Sequence, residues 1–316
     1  TYKVKLIEVP SVKTVGEILG KQTKEKSYEA EVASKSYENL PCMRIEASQV
    51  HIQNQTLHRL TLNPETTVRG GLIFFHGQGD FIDRYPSILK GFVDAGYRCI
   101  LTDMPGHGRS QGRRGVVPGL SFADELLHDS LSSLEGEIII AGHSMGGLMA
   151  LRFLFQNHNL FKAAWISSPL LNPMLQAKLW MKIALPLAAQ LFPSATISTG
   201  VSSSDCSSKV DRGETEKDLA LFHSRISIGW GRDLCNAAEE VREQFTNVAL
   251  ETPILFTQGD SDSICPIKIL EEKLWILSSS QISFKKIKEA LHEPFCGSTR
   301  EDFLMHLNRW IDDKLG

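Results

Sequence analysis

The stretch Glu137-Ile-Ile-Ile-Ala-Gly-His-Ser-Met-Gly-Gly147 decides how the rest of the chain is read. Ile138, Ile139, Ile140 and Ala141 form an unbroken apolar run, the pattern of a parallel strand covered by helices on both faces. From Met145 to Phe155 the apolar residues Leu148, Met149, Ala150, Leu151, Phe153, Leu154 and Phe155 surround nearly the whole circumference of a helix, which is therefore buried as well. Ser144 stands at the junction. Gly142 and Gly146 give it the G-x-S-x-G spacing, in which residues without Cβ let a sharp turn bring strand and helix close together while the hydroxyl projects. The bland alternative is a glycine-rich turn that happens to hold a serine, and the flanking strand and helix argue against it.

Working outward, strands and helices alternate on both sides of this turn. Met43 to Ala47 and Leu57 to Leu62, parted by a polar bend at Gln53 to Gln55, look like an antiparallel opening pair. Leu72 to Phe75 is a buried strand ending in His76-Gly77-Gln78-Gly79. A helix follows from about Tyr85 to Ala95, with Pro86 near its start and Gly96 past its end. Cys99 to Thr102 is the next strand, Ser121 to Leu134 a helix, and Ala163 to Ile166 a strand. The alternation lapses between Ser167 and about Asn247. Leu170 to Phe192 is strongly apolar but interrupted by Pro173 and Pro186, and a Ser-rich stretch, Ser194 to Ser208, comes after it. Such an excursion reads as a helical insertion over the sheet. Pro253 to Thr257, Pro266 to Leu277 and Ile282 to Ile287 resume as strand, helix and strand. A last helix carries a capping box, Ser298 with Glu301, and the stripe Phe303, Leu307, Trp310 and Ile311. The expected fold is α/β: a mostly parallel sheet with helices on both faces and a helical cap. Its parts are an extension at 1–40, a core at 41–168 and 248–316, and the cap at 169–247.

Composition narrows the functions. A chain of 316 residues is long enough for one large core or two modest ones. Lys plus Arg number 34 and Asp plus Glu 37, so the net charge of -3 speaks against a nucleic-acid surface. The six cysteines are dispersed, with no C-x-x-C pair, and are expected as free thiols in a reducing, cytoplasmic setting. No stretch reaches the roughly 18 uncharged apolar residues of a spanning helix. The chain begins at Thr1, which leaves a preceding leader open. Gly106, Gly108 and Gly112 miss the dinucleotide fingerprint by one residue, and no P-loop is present. Arg109, Arg113 and Arg114 read as a solvated loop rather than an anion site. No H-E-x-x-H spacing supports a metal, so neither metal nor cofactor is expected.

A serine hydroxyl at neutral pH needs a general base, itself oriented by a carboxylate, and in open α/β sheets such groups collect at the carboxyl ends of strands. His292 lies just beyond the last strand, whereas His76 and His143 arrive on other strand ends. Asp260 and Asp262 both follow the strand at 253–257, and spacing alone leaves the choice between them open. An oxyanion hole needs two backbone N–H groups. Met145, following the serine, offers one, and Gln78, between two glycines, offers the other.

From about Arg69 onward the chain resembles the monoacylglycerol lipase and lysophospholipase branch of the serine α/β-hydrolases. HGQGDFIDRY is similar to that family's HGxGEHSxRY loop, GHGRSQGRRG to GHGxSxGxR, GHSMGG to the nucleophile elbow, and QGDSDSICP to QGxxDxxC. The resemblance places the acid on Asp262 and the base on His292, giving a Ser144, Asp262, His292 triad. It implies ester hydrolysis through an acyl-enzyme, with monoacylglycerol-like or lysophospholipid-like substrates and no cofactor. It also implies an acyl-binding surface in the cap, to which Leu175, Leu179, Trp180, Ile183, Leu187 and Leu191 would contribute, and it admits passing contact of the cap with a membrane surface. Oligomeric state stays open. Phe222 to Ser227 departs from the Asp-Pro-Leu run common in the family, and the extension has no counterpart. Rival expectations are an aminopeptidase or acyltransferase on the same fold, and a non-catalytic hydrophobic-ligand carrier.

Overall fold

A computed structural model describes residues 43–175, 177, 179–207, 220–247, 251–277 and 281–316; the 1–40 extension lies outside these residues. Ten strands and seven longer helices are described. Strands β1 (Met43–Ile52) and β2 (Gln55–Pro64) form a hairpin, then come β3 (Gly70–Phe75), α1 (Pro86–Asp94), β4 (Tyr97–Thr102), α2 (Leu120–Ser132), β5 (Glu137–His143), α3 (Met145–Gln156) and β6 (Ala163–Ser167). The excursion contributes α4 (Leu179–Leu191), β7 (Thr196–Ser198), a single helical turn at Ser203–Cys206, β8 (Arg225–Ser227) and α5 (Ile228–Gln244). The chain closes with β9 (Ile254–Gly259), α6 (Ile267–Leu277), β10 (Ile282–Ile287) and α7 (Arg300–Leu315).

Eight strands form one sheet in the order β1-β2-β4-β3-β5-β6-β9-β10. The β1/β2 and β2/β4 pairs are antiparallel and the rest parallel, so an antiparallel opening is followed by a parallel body, as expected. Strand alternation sorts the central residues onto two apolar layers. Ile73, Phe75, Ile138 and Ile140 join α2, α3, α5 and α6 on one face; Leu72, Phe74, Ile139, Ala141 and Trp165 join α1 and α7 on the other. β5 lies in mid-sheet and is buried on both faces, so its serine turn is held by the most enclosed part of the molecule.

Local expectations meet the structure unevenly. The hairpin strands are longer than the alternating segments, because the solvent face of β1 tolerates polar residues throughout. Pro186 does not end its helix. It removes one ladder bond, but Leu187, Ala188 and Ala189 favour helix, and Phe192 N donates to Ala188 O at 2.8 Å. The expected Ser298/Glu301 capping box does not form: a 3-10 turn at Gly297–Thr299 leads in, the N-cap is Thr299, so Ser298 lies one position too early, and the Thr299 hydroxyl, which donates to the carbonyls of Pro294 and Cys296 at 3.0 Å each, makes no cap bond. The excursion is not purely helical, since β7 and β8 pair antiparallel. Its last helix, α5, places Trp230, Leu234, Ala237, Ala238 and Val241 in the same apolar layer as β5, so the core continues across it. The arginines of the 103–115 loop each make a hydrogen bond, although Arg113 stays exposed. Arg109 Nε donates to Asp83 at 2.9 Å, Arg114 Nη1 to the Gly108 carbonyl at 2.7 Å, and Arg113 to the Ser194 carbonyl.

The excursion is stitched to the core at its returning strand. His223 N donates to Gly79 O at 3.0 Å and Ser227 N to Gly115 O at 2.8 Å. The His223 ring lies 4.7 Å from that of His107. Burial, helped by the positive charge of Arg114, pushes the His223 pKa down to about 4, and burial pushes His107 down too.

Two outcomes test this frame. A Cβ at Gly70 would fall 2.0 Å from the Glu137 carbonyl oxygen on the adjacent strand, whereas at Gly231, on α5, the nearest atom is 3.8 Å away. Thermal melts should therefore show Gly70→Ala severely destabilised and Gly231→Ala stabilised by about 0.5–1 kcal/mol. Because His223 is neutral when folded and protonated when unfolded below its ordinary pKa, the unfolded chain binds more protons there. Stability should fall as pH drops from about 6.5 towards 4, by about 3 kcal/mol from this residue. Urea midpoints of His223→Asn should be less acid-sensitive than wild type over that window, and equal sensitivity would refute the assignment.

Candidate active site

The site begins with the backbone at Ser144. Its φ of 55° and ψ of -116° lie where a residue with Cβ is strained, and the surroundings hold it there. Ser144 N donates to Ser167 O at 2.9 Å, and Ser144 O accepts from Leu148 N at 3.0 Å and Leu170 N at 3.1 Å. The two glycines have separate duties. A Cβ at Gly146 would lie 1.9 Å from the Phe75 carbonyl oxygen, and one at Gly142 would lie 2.2 Å from Gly146 O. Strand β3 thus passes against the first turn of α3, and β5 against the same turn.

His292 and Asp262 reach this serine from the loops after β10 and β9. His292 Nε2 is 2.8 Å from Ser144 Oγ and His292 Nδ1 is 2.8 Å from Asp262 Oδ2. All three residues are buried. With Nδ1–H donated to the carboxylate, Nε2 is the lone-pair nitrogen that accepts the serine proton. Asp262 Oδ1 accepts from the N–H groups of Ile264 and Cys265, both at 2.9 Å, so its second oxygen is fixed towards the imidazole. The choice between the two aspartates becomes physical here. Asp260 is exposed and accepts from Glu289 N at 2.8 Å and Ser261 Oγ at 2.9 Å, which shapes the loop that delivers His292.

The two remaining histidines of interest are occupied. His76 has its Nδ1 2.7 Å from Gly77 O, and its Nε2 accepts from Met104 N at 2.9 Å. His143 is buried with its ring 4.8 Å from that of His292, and burial together with that neighbour pushes its pKa well down. Met145 opens α3, where a first-turn N–H has no acceptor within the helix, and Gln78 follows Gly77 in a tight turn closed by Asp80 N to Gly77 O at 3.3 Å. Leu179, Trp180 and Ile183 are placed differently from the expected acyl-lining surface: they are 73, 66 and 71 % exposed, on a helix whose one buried residue is Ala189. The structure does not enclose them.

Several supporting residues escaped sequence reasoning. Arg84 forms a bidentate pair with Glu293, at 2.8 and 2.7 Å, and donates to Asp80 at 3.0 Å. Burial opposes ionisation of Glu293, but the guanidinium outweighs it and holds the carboxyl well below its ordinary range. Tyr85 Oη donates to the other Asp80 oxygen at 2.5 Å. The network joins the Gln78 loop to the residue following His292. Ser168 Oγ donates to the His292 carbonyl at 2.8 Å. Asp103 accepts from Ile82 N and Arg109 N, both at 2.8 Å, and so joins two of the glycine-rich loops. Glu293 adjoins His292 in sequence and Arg84 lies within the quoted HGQGDFIDRY run, yet nothing in their spacing couples them. One trio of metal-capable side chains is close together among the described residues, namely Asp262, Cys265 and His292. Two of these are already hydrogen-bonded to each other, and burial followed by the Asp262 charge raises the Cys265 thiol pKa, which opposes the thiolate a metal needs.

Phospholipase YtpA of Bacillus subtilis is 23% identical over 245 residues, covering 76% of this chain and 94% of that protein. The monoglyceride lipase of Rattus norvegicus is 23% identical over 295 residues, covering 88% and 92%. The crystal structure of Paleococcus ferrophilus monoacylglycerol lipase superposes with a TM-score of 0.73 at 24% identity, covering 81% of this chain and 98% of that one. The family model described as serine aminopeptidase, S33, matches residues 66–298, which take in the serine turn, both oxyanion candidates, Asp262 and His292. With that match across most of its length and an α/β-hydrolase sheet order, the chain belongs to the S33 serine aminopeptidase family of α/β-hydrolases.

Proposed function

We propose that this chain is a serine carboxylic-ester hydrolase acting on single-chain acyl esters, monoacylglycerols or lysophospholipids. The observation that carries the reading is the relay from Asp262 through His292 to Ser144, with both contacts at 2.8 Å. Ser144 Oγ attacks the ester carbonyl carbon while His292 Nε2 takes its proton. The carbonyl oxygen gains negative charge and accepts from the N–H groups of Met145 and Gln78. His292 then gives its proton to the departing alcohol oxygen, leaving an acyl-enzyme. Water attacks that ester, with His292 again as base, and the carboxylic acid leaves. Asp262 keeps the imidazole in one tautomer and stabilises its charged form.

An aminopeptidase needs a carboxylate to receive the substrate ammonium. Asp80 and Glu293, on the loops that carry Gln78 and His292, are both paired with Arg84 and so are not open to one. The names of the relatives, a phospholipase and monoglyceride lipases, support lipid esters instead. The cap, within 169–247, supplies the lipid-facing part. Leu179, Trp180, Ile183, Leu187 and Leu191 give α4 an apolar outer face suited to a micelle or membrane surface, from which a substrate would enter. No helix among the described residues is long and apolar enough to cross a membrane.

Fluorophosphonate labelling followed by peptide mapping should place the adduct on Ser144. Ser144→Ala should lose about six orders of magnitude in kcat on monoacylglycerol if the triad acts as a unit, and near-normal turnover by it would overturn the reading. The double variant Ile183→Ser with Leu187→Ser should hydrolyse vesicle-borne monoacylglycerol about tenfold or more slowly, while its rate on a short water-soluble aryl ester stays within about twofold of wild type. Equal loss on both substrates would place α4 in the reaction site instead.

A further inference from the structure

The two residues assigned to the oxyanion hole come from distant parts of the sequence, and their backbone N–H groups act together only if their spacing is held. Their side chains converge on one atom. Trp230 Nε1–H lies 3.1 Å from Gln78 Oε1 and 3.3 Å from Met145 Sδ. The Gln78 amide is fixed from its other side as well, because Nε2 donates to the Arg225 carbonyl at 2.8 Å. Only one orientation of that amide satisfies an incoming indole donor and a carbonyl acceptor together, so its rotation is locked.

Trp230 is itself firmly placed. It is 1 % exposed in the first turn of α5, and its backbone N–H donates to Ser227 Oγ at 3.3 Å. Around it the returning strand of the excursion is bonded to the same loop: His223 N donates to Gly79 O, and a Cβ on Gly79 would lie 1.9 Å from the His223 carbonyl oxygen. Core and excursion therefore meet on the Gln78–Gly79 turn, leaving no room between them.

The geometry points to Trp230 as the positioning residue of the oxyanion hole, its single indole N–H setting the separation of the Gln78 and Met145 loops. This rests on the ester-hydrolase reading and deepens it. Trp230 does not touch substrate; it acts through the two donors. It is also where the excursion bears on the chemistry, since Arg225 and Trp230 both belong to that segment while the nucleophile and its base belong to the core.

The test is Trp230→Phe, which keeps an aromatic ring and removes the N–H, alongside Gln78→Leu and the double variant. The expected result for Trp230→Phe on a water-soluble aryl ester is a kcat 10- to 100-fold lower with KM within about twofold, since a donor displaced by a fraction of an ångström loses part of the 10²- to 10³-fold a whole donor supplies. A trifluoromethyl ketone, whose tetrahedral adduct loads the oxyanion hole, should bind Trp230→Phe more weakly by the same factor. The double variant should be little worse than either single one, because both break one linkage. Wild-type kcat in Trp230→Phe, or multiplicative losses in the double variant, would overturn the assignment. A loss of kcat with unchanged ketone affinity would also do so, by showing that the ring serves packing alone. Should Trp230→Phe fold poorly, the single variant Gln78→Leu carries the same expectations on kcat and ketone affinity. Stoichiometric fluorophosphonate labelling of wild type separates the two levels: without it the hydrolase reading itself fails, and with it only the role of Trp230 is in question.

Discussion

The structure depends on one close approach, that of the first turn of α3 to the ends of β3 and β5. With an added Cβ only 1.9 Å from the Phe75 carbonyl at Gly146 and 2.2 Å from Gly146 O at Gly142, the polypeptide there is in backbone-to-backbone contact. That contact forces Ser144 into a positive φ, and the strain is borne because the β5 turn is embedded between two apolar layers. An elbow of this kind at a sheet edge would relax. The mid-sheet position of β5 is thus a condition for the nucleophile, and the parallel order around it brings the carboxyl ends of β3, β9 and β10 to the same edge.

Around that elbow the polar groups form two separate constructions. One is the relay of Asp262, His292 and Ser144. The other is the buried cluster of Arg84 with Glu293 and Asp80, in which the charges are paired and the remaining carboxylate oxygen of Asp80 is taken by Tyr85. Buried ion pairs contribute little to stability once desolvation is counted, but an unpaired member would be costly, so such a cluster chiefly enforces geometry. Here it ties the loop carrying Gln78 to the loop carrying His292.

Much of this was legible in the sequence because it rests on local patterns. A continuous apolar run, two glycines about a serine and the strand order of Ser144, Asp262 and His292 are all written along the chain. What could not be read is set by distance or by tertiary context. Spacing does not separate Asp260 from Asp262; the resemblance to the family's QGxxDxxC segment picks Asp262, and the physical difference is that Asp262 is buried against His292 whereas Asp260 is exposed. The capping box at Ser298 fails because the 3-10 turn delays the helix to Arg300, which leaves Ser298 one position ahead of the N-cap. Pro186 reads as a break because propensity is local, whereas the helix continues on good formers beyond it. Leu179, Trp180 and Ile183 are named for an acyl-binding surface by their apolar character alone, which does not say which side they turn to, and they stand exposed. Arg84 with Glu293, and Trp230 with Gln78 and Met145, pair residues from 85 to 209 positions apart, and no spacing rule reaches that far.

The uneven anchoring of the excursion sets how the molecule opens. The returning strand and α5 are bonded to Gly79 and Gly115 and share the core layer, so exposing their amides to solvent exchange requires opening the core itself. Helix α4 keeps one buried residue, Ala189, and rests on α5. Its amides are therefore expected to exchange before those from Trp230 inward. The exposed apolar helix and the indole linkage to the Gln78 turn thus fall in segments of different local stability, so a loss of order in the first need not loosen the second.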